Sequence, residues 1–209
     1  MNREPTAYDT RTGAIPEYRG LGVATRIFEE SIPLLKENGI KLYLLKVIQH
    51  NHKALSVYKK LGFEVTWEFN YFIQEMSEVK KVPIKAGKNV LVRQVDFDDC
   101  QRMTGFLDFT NSWQNSFDTI GKRPGDFLAF SAFIGGHFAG YCILEPGSGY
   151  VTHIAVDKNH RRRWVATALL HESIKSNRYD SVKIINTDVN CRVMTGFLDS
   201  INIPVTGKQ

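Results

Sequence analysis

The sequence predicts a mixed α/β (α+β) fold in which sheets are flanked by helices and the chain falls into two related parts. Three observations predict it. β-forming and amphipathic segments alternate as β-α-β-α-β up to Gln74. Two apolar runs joined by Gly135-Gly136 announce an antiparallel hairpin further along. And one segment occurs twice: GAIPEYRGLGVATRIFEE from Gly13 corresponds to IAVDKNHRRRWVATALLHE from Ile154.

Thr6 to Ile15 alternates loosely and reads as a strand. Gly22 to Glu37 carries Val23, Ile27, Ile32, Leu34 and Leu35 with charges opposite, an amphipathic helix whose Pro33 is a point of bending or early ending. Asn38-Gly39 is its stop signal. Lys41 to Ile48 (KLYLLKVI) is dense in β-formers and reads as a buried strand. Asn51 to Leu61 is a second helix closed by Gly62, and Phe63 to Gln74 a long strand. Glu75 to Asn89 is charged and carries Pro83 and Gly87 without an apolar period, as a linker does. Val90 to Val95 is then a strand, and Asp96 to Asp108 a helix with acidic residues in its first turn. Strands follow at Phe127–Ile134, His137–Leu144 and Gly149–Val156, then a helix at Trp164–Ser176, a strand at Ser181–Val189 and a helix at Cys191–Ile201. NIPVTGKQ can start one more strand.

Composition bounds the function only loosely. The chain has 209 residues, enough for one large domain or two small ones. A net charge of +5 suits an anionic partner such as a nucleotide-bearing cofactor, an acidic substrate or nucleic acid, without choosing among them. The three cysteines, Cys100, Cys142 and Cys191, are far apart and form no Cys-x-x-Cys, which argues for reduced thiols, a cytoplasmic setting and no zinc site. No apolar run is long enough for a membrane span, and MNREPTAYDT is too polar for a signal peptide. The six histidines show no metal-binding spacing; His50 and His52 flank Asn51, and His153 lies on a strand.

The chemistry concentrates at Arg19-Gly20-Leu21-Gly22-Val23-Ala24. The first turn of a helix has backbone N–H groups with no acceptor in the helix, and the helix dipole adds positive charge there. Wrapped around a phosphate, these donors make an anion site. Glycine permits the dihedrals and the close approach, and arginine adds a planar donor that is always charged. Alone, the stretch also fits a plain strand-to-helix turn. It lacks the third glycine of a dinucleotide fingerprint and the Gly-Lys-Ser/Thr of a P-loop.

Two motifs in order resolve this. Arg19-Gly20-Leu21-Gly22-Val23-Ala24 resembles the Arg/Gln-x-x-Gly-x-Gly/Ala loop of the GNAT acyltransferase superfamily. Asn51-x-x-Ala54-x-x-x-Tyr58-x-x-x-Gly62-Phe63 resembles that family's following motif, with a strand between the two. The resemblance covers Thr6 to Gln74 well and Val90 to Gln209 more loosely. It implies a tandem-GNAT protein: residues 1–76 the C-terminal half of one GNAT module, 77–89 a linker, and 90–209 a second, degenerate module. It implies an acyl-CoA-dependent N-acyltransferase that moves an acetyl or other acyl group from acyl-CoA to a small-molecule or peptide amine, without metal. The implied roles are residue by residue. Backbone N–H groups of Arg19, Gly20, Leu21, Gly22, Val23 and Ala24, with Thr25 behind them, cradle the pyrophosphate. Gly13, Ala14 and Ile15 pair with the pantetheine arm. Asn51 contacts that arm and opens the helix, and Tyr58 protonates the leaving thiolate. On helical spacing alone Tyr58 reads equally as a packed aromatic.

The second copy departs from the pattern. Trp164 stands where the family has its first glycine, Phe197 stands where Tyr58 stands, Val193 replaces the alanine, and Ile201-Asn202 replaces Gly-Phe. A large side chain at Trp164 is expected to restrict the loop. These departures leave a second class of function open: a catalytically inactive GNAT-like binding or interaction module, or a fragment of a longer acetyltransferase. The resemblance also places Met1 just before the family's fourth strand, so the sheet edge at Thr6–Ile15 is expected to be covered, for instance by another copy in a homo-oligomer. The run Lys158 to Arg163 is read as a cofactor-phosphate rim, with nucleic acid and membrane set aside as partners. Cys-x-x-Met-Thr-Gly-Phe-Leu-Asp recurs at Cys100–Asp108 and Cys191–Asp199, in positions that are not equivalent in the repeat.

Overall fold

The computed structural model describes residues 4–10, 12–79 and 89–209. They form two compact units, the first ending at Trp67 and the second running from Glu68 to Lys208.

In the first unit, strand β1 (Thr6–Asp9) lies parallel to β2 (Leu42–Leu45), in register from Thr6↔Leu42 to Asp9↔Leu45. Parallel neighbours need a crossover. Helix α1 (Val23–Glu37) supplies it, running through Pro33 without interruption and ending where Gly39 turns to φ 76°. Helix α2 (His52–Lys60) follows β2 and closes at Gly62, φ 86°. An aromatic cluster holds these pieces together. Phe28, fully buried, has ring centroids 5.8 Å from Tyr43, 5.5 Å from Tyr58 and 5.6 Å from Phe63. Tilted and edge-to-face contacts of this kind add about 0.5–1.5 kcal/mol each beyond area burial. Among the described residues β2 is the one strand that pairs with β1.

The second unit is built on a seven-stranded mixed sheet in the order β4-β5-β6-β7-β8-β3-β9. Its members are β3 (Phe69–Glu75), β4 (Val90–Val95), β5 (Leu128–Ile134), β6 (His137–Glu145), β7 (Tyr150–Val156), β8 (Ser181–Asp188) and β9 (Gly207–Lys208). Gly135 and Gly136, at φ 57° and 82°, make the tight β5–β6 turn. Pairing is antiparallel from β4 to β7, and β7 meets β8 in parallel through the single pair Tyr150↔Lys183. A short turn of helix, α3 (Met76–Val79), follows β3, and α4 (Phe97–Gln101) and α5 (Phe117–Ile120) are equally brief. The longer helices are α6 (Val165–Ile174) and α7 (Arg192–Ser200). One core joins Leu169, Ile174 and Leu198 to Phe72, Leu144 and Val182. A second gathers Cys100, Phe117, Tyr141 and Ile143, with Phe97 and Phe106 against it.

Some expected elements come out differently, and the strand expected as buried over Lys41–Ile48 is β2, shorter and with no residue buried. No strand forms over Phe63–Trp67. The strand expected from Phe63 begins at Phe69 and lies in the second unit, between β8 and β9. Burial explains this: Phe69, Asn70 and Phe72 are buried, and Phe72 belongs to the larger core with Val182 and Ile184 of β8. The helix expected over Asp96–Asp108 stops at Gln101 and gives way to a 3-10 turn at Thr104–Phe106. The same Met-Thr-Gly-Phe-Leu-Asp stretch is α-helical at 194–199, within α7, so context and not local propensity decides its conformation. Of the expected linker, residues 80–88 lie outside the described residues, and its beginning is the helical turn α3.

Candidate functional site

In the first unit the chain leaves β1, passes a 3-10 turn at Pro16–Tyr18 and enters α1 through Arg19–Gly22. Gly20 and Gly22 both adopt left-handed backbone, φ 79° and 73°, and Gly22 is the N-cap of α1. A Cβ at either position would meet nothing within 4 Å, so the glycines serve the backbone conformation and leave the space above the loop open. The first intrahelical bond is Arg26 N–H to the Gly22 carbonyl, and no side chain caps the helix. The N–H groups of Val23, Ala24 and Thr25 precede that bond and have no acceptor within the helix. Arg19 holds the loop by donating from Nε to the Ala14 carbonyl, 3.1 Å away. These features suit an anion such as a pyrophosphate.

The second motif is also in place. Asn51 caps α2, its side chain accepting from Ala54 N–H at 3.2 Å. Tyr58 sits on the next two turns, half-buried, edge-on to Phe28 and to Phe63 at 5.5 and 5.9 Å. Burial raises its phenol above the ordinary tyrosine value, and the charges of Asp9 and Tyr43 add to the effect, so the group keeps its proton at neutral pH. Asp9 stands at the last pair of β1 with β2 and accepts from Thr12 Oγ1 at 2.9 Å. Gly13, Ala14 and Ile15 follow in non-strand backbone, so the strand expected to reach Ile15 ends at Asp9.

The second unit repeats the loop with different side chains. Arg162 and Trp164 occupy left-handed backbone, φ 61° and 64°, at the positions of Gly20 and Gly22, and Trp164 is the N-cap of α6. Arg161 Nε donates to the Val156 carbonyl at 3.4 Å, five residues back, as Arg19 does to Ala14. Trp164 therefore does not remove the loop conformation, contrary to the expected restriction. Arg161 is also ion-paired, to Asp108 at 2.7 Å, whereas Arg19 has no carboxylate partner among the described residues. Phe197 replaces the phenol.

The acetyltransferase (GNAT) family model matches residues 1–63 and 95–187. This chain belongs to the GNAT family. Solved structures agree in fold. A tandem GNAT protein from the clavulanic acid biosynthesis pathway aligns with 98% of this chain and 73% of its own length, at TM-score 0.71 and 13% identity. A GCN5-related N-acetyltransferase from Sphaerobacter thermophilus aligns with 92% of this chain and 68% of its own, at TM-score 0.65 and 15% identity. In sequence, N-alpha-acetyltransferase 30 of Schizosaccharomyces pombe is 34% identical over 56 residues, 27% of this chain and 37% of that protein. The match thus spans little more than a third of that relative's length.

Several contacts of this GNAT chain emerge only from the fold. Asp108 reaches Arg161 across 53 positions of sequence. His153, on β7, is 3% exposed, its ring tilted against Phe117 with centroids 4.6 Å apart. Asn111 Nδ2 donates to its Nε2 at 2.7 Å, which leaves Nδ1–H to donate to Thr152 Oγ1 at 3.2 Å. Burial pushes its pKa down to about 3, so it is a neutral core group. All three cysteines are buried and raised above the free thiol value by that burial, Cys100 to about 11 and Cys142 to about 12. Among the described residues no helix is long and apolar enough to cross a membrane, and no three His, Cys, Asp or Glu side chains gather as metal ligands.

Proposed function

We propose that this chain is an acyl-CoA-dependent N-acyltransferase that moves an acetyl group from acetyl-CoA, or another acyl group from its acyl-CoA, to a primary amine of a small molecule or peptide, in the cytoplasm. The observation that carries the reading is the Arg19–Ala24 loop: two left-handed glycines, an uncapped helix start and open space above both glycines. The residues fit a pyrophosphate. N–H groups from Arg19 to Ala24, with Thr25 behind, would hold it, and Gly13 to Ile15, free of strand pairing, would receive the adjoining amide-bearing arm. The thioester supplies an activated acyl group. Tyr58 donates its proton toward the departing sulfur. A phenol raised by burial is a weaker acid than a thiol, so it acts by stabilising negative charge as it develops on sulfur. Asn51 fixes the start of the helix that carries Tyr58.

On this reading residues 1–76 are half of a GNAT module and residues 90–209 a degenerate module that serves as scaffold. The β1 edge, which has no second strand partner among the described residues, would be covered by another copy of the chain. A second reading, a GNAT-like binding module without turnover, is favoured by Trp164 and Phe197 in the second unit.

Calorimetric titration of acetyl-CoA into the chain and into Arg19→Glu and Arg161→Glu variants tests the site. Binding lost with Arg19→Glu and kept with Arg161→Glu supports the assignment. Absence of binding by the unaltered chain overturns it.

A further inference from the structure

In the second unit β7 and β8 touch as a parallel pair only at Tyr150↔Lys183 and part beyond it. Carbonyls on the inner edges of parting strands lose their ladder donors and must find others. Asn115, at the end of a 3-10 turn and 3% exposed, provides them. Its Nδ2 donates to the Thr152 carbonyl of β7 and to the Ile185 carbonyl of β8, each at 3.3 Å. Its Oδ1 accepts from Tyr150 Oη–H and, at 3.2 Å, from Asn186 Nδ2. One carboxamide thus bridges both strands and spends its donors and its acceptor in doing so.

Asn186 strengthens the point. It is 1% exposed and holds left-handed backbone, φ 63°, inside a strand. The register of β8 against β3 shifts across this place, from Thr187↔Asn70 to Ile184↔Phe72. A non-glycine residue keeps such a conformation only where its surroundings over-determine it. Here the surroundings are Asn115, Gln114 and Tyr150, all within hydrogen-bonding reach of Asn186 Nδ2. In the loop after β7, Arg161 is tied to Asp108 by an ion pair at 2.7 Å.

We propose that Asn115 is a built-in occupant of the gap between β7 and β8. Its carboxamide takes the two carbonyls that an entering amide-bearing chain, such as the arm of an acyl-CoA, would use, and it closes the second unit to that ligand. The inference rests on the proposed function only for the ligand class.

The test is hydrogen exchange by mass spectrometry on the full chain carrying Arg19→Glu, with and without millimolar acetyl-CoA. The reporters are peptides covering residues 150–156 and 181–188. With Asn115 intact, acetyl-CoA leaves exchange there unchanged. With Asn115→Ala, exchange without ligand rises severalfold and acetyl-CoA slows it again. Asn115→Ser keeps one donor for two carbonyls and replaces Asn115→Ala if circular dichroism shows that variant unfolded. Protection by acetyl-CoA with Asn115 intact overturns the proposal, and so does a folded Asn115 variant that gains no protection. Failure of the first-unit reading is seen separately, as absent protection of residues 19–26 in the chain that retains Arg19.

Discussion

Trp164 occupies in the second unit the left-handed backbone position that Gly22 occupies in the first, φ 64° against 73°, each as the N-cap of the helix that follows. The loop conformation is therefore held in the second unit without the residue best suited to it. An L-residue at such a position costs about 1–2 kcal/mol relative to glycine. Gly22→Ala meets no neighbouring atom, so its effect isolates that backbone cost. We expect a loss of about 1–2 kcal/mol in urea unfolding of the first unit. Unchanged stability would mean that the loop relaxes to another conformation.

Arg19 and Arg161 make the same contact to a carbonyl five residues back, but among the described residues only Arg161 has a carboxylate partner, at 2.7 Å. Arg19→Ala is expected to weaken acetyl-CoA binding by about tenfold or more, as loss of a charged contact does. Arg161→Ala should leave that affinity unchanged and lower stability by about 1 kcal/mol, because the pair with Asp108 is partly open to solvent. Equal effects on affinity would refute the assignment of the site to the first loop.

Tyr58 serves both packing and, on the proposed reading, proton donation. Tyr58→Phe keeps the contacts with Phe28 and Phe63 and removes only the hydroxyl. The expected outcome is a fall in kcat of about 10²-fold with little change in KM or Tm. Tyr58→Ala should in addition lower Tm through lost aromatic packing. A Tyr58→Phe enzyme with full kcat would return Tyr58 to a packing role.

His153 makes stability depend on pH. Its folded value is depressed to about 3, against about 6.5 for a free imidazole. Between these values the unfolded chain binds a proton that the folded chain does not, so stability rises with pH across that window and is lost as pH falls from about 6.5 toward 3. Above the upper value the group contributes no slope. His153→Gln should flatten the urea midpoint between pH 6.5 and 4 relative to the unaltered chain. An equally steep dependence in the variant would place the effect elsewhere.

What the sequence determined by itself is local and repeated. The Gly20 and Gly22 turn, the Asn51 cap, the Asn38-Gly39 stop and the Gly135-Gly136 hairpin are each set by backbone preferences of a few adjacent residues, and two motifs in order were enough to point to the family. Tertiary structure decided what depends on distant partners. Phe69–Glu75 reads as a strand anywhere, but only the buried residues of β8 determine which sheet it joins. Met-Thr-Gly-Phe-Leu-Asp is a helix in α7 and a 3-10 turn after α4, where Phe106 meets Phe138 at 6.0 Å and Asp108 meets Arg161. Asn115 bears no motif, and its role exists only because β7 and β8 part around it. Backbone propensity acts over one turn of chain, whereas burial and hydrogen-bond satisfaction act between residues that only folding brings together.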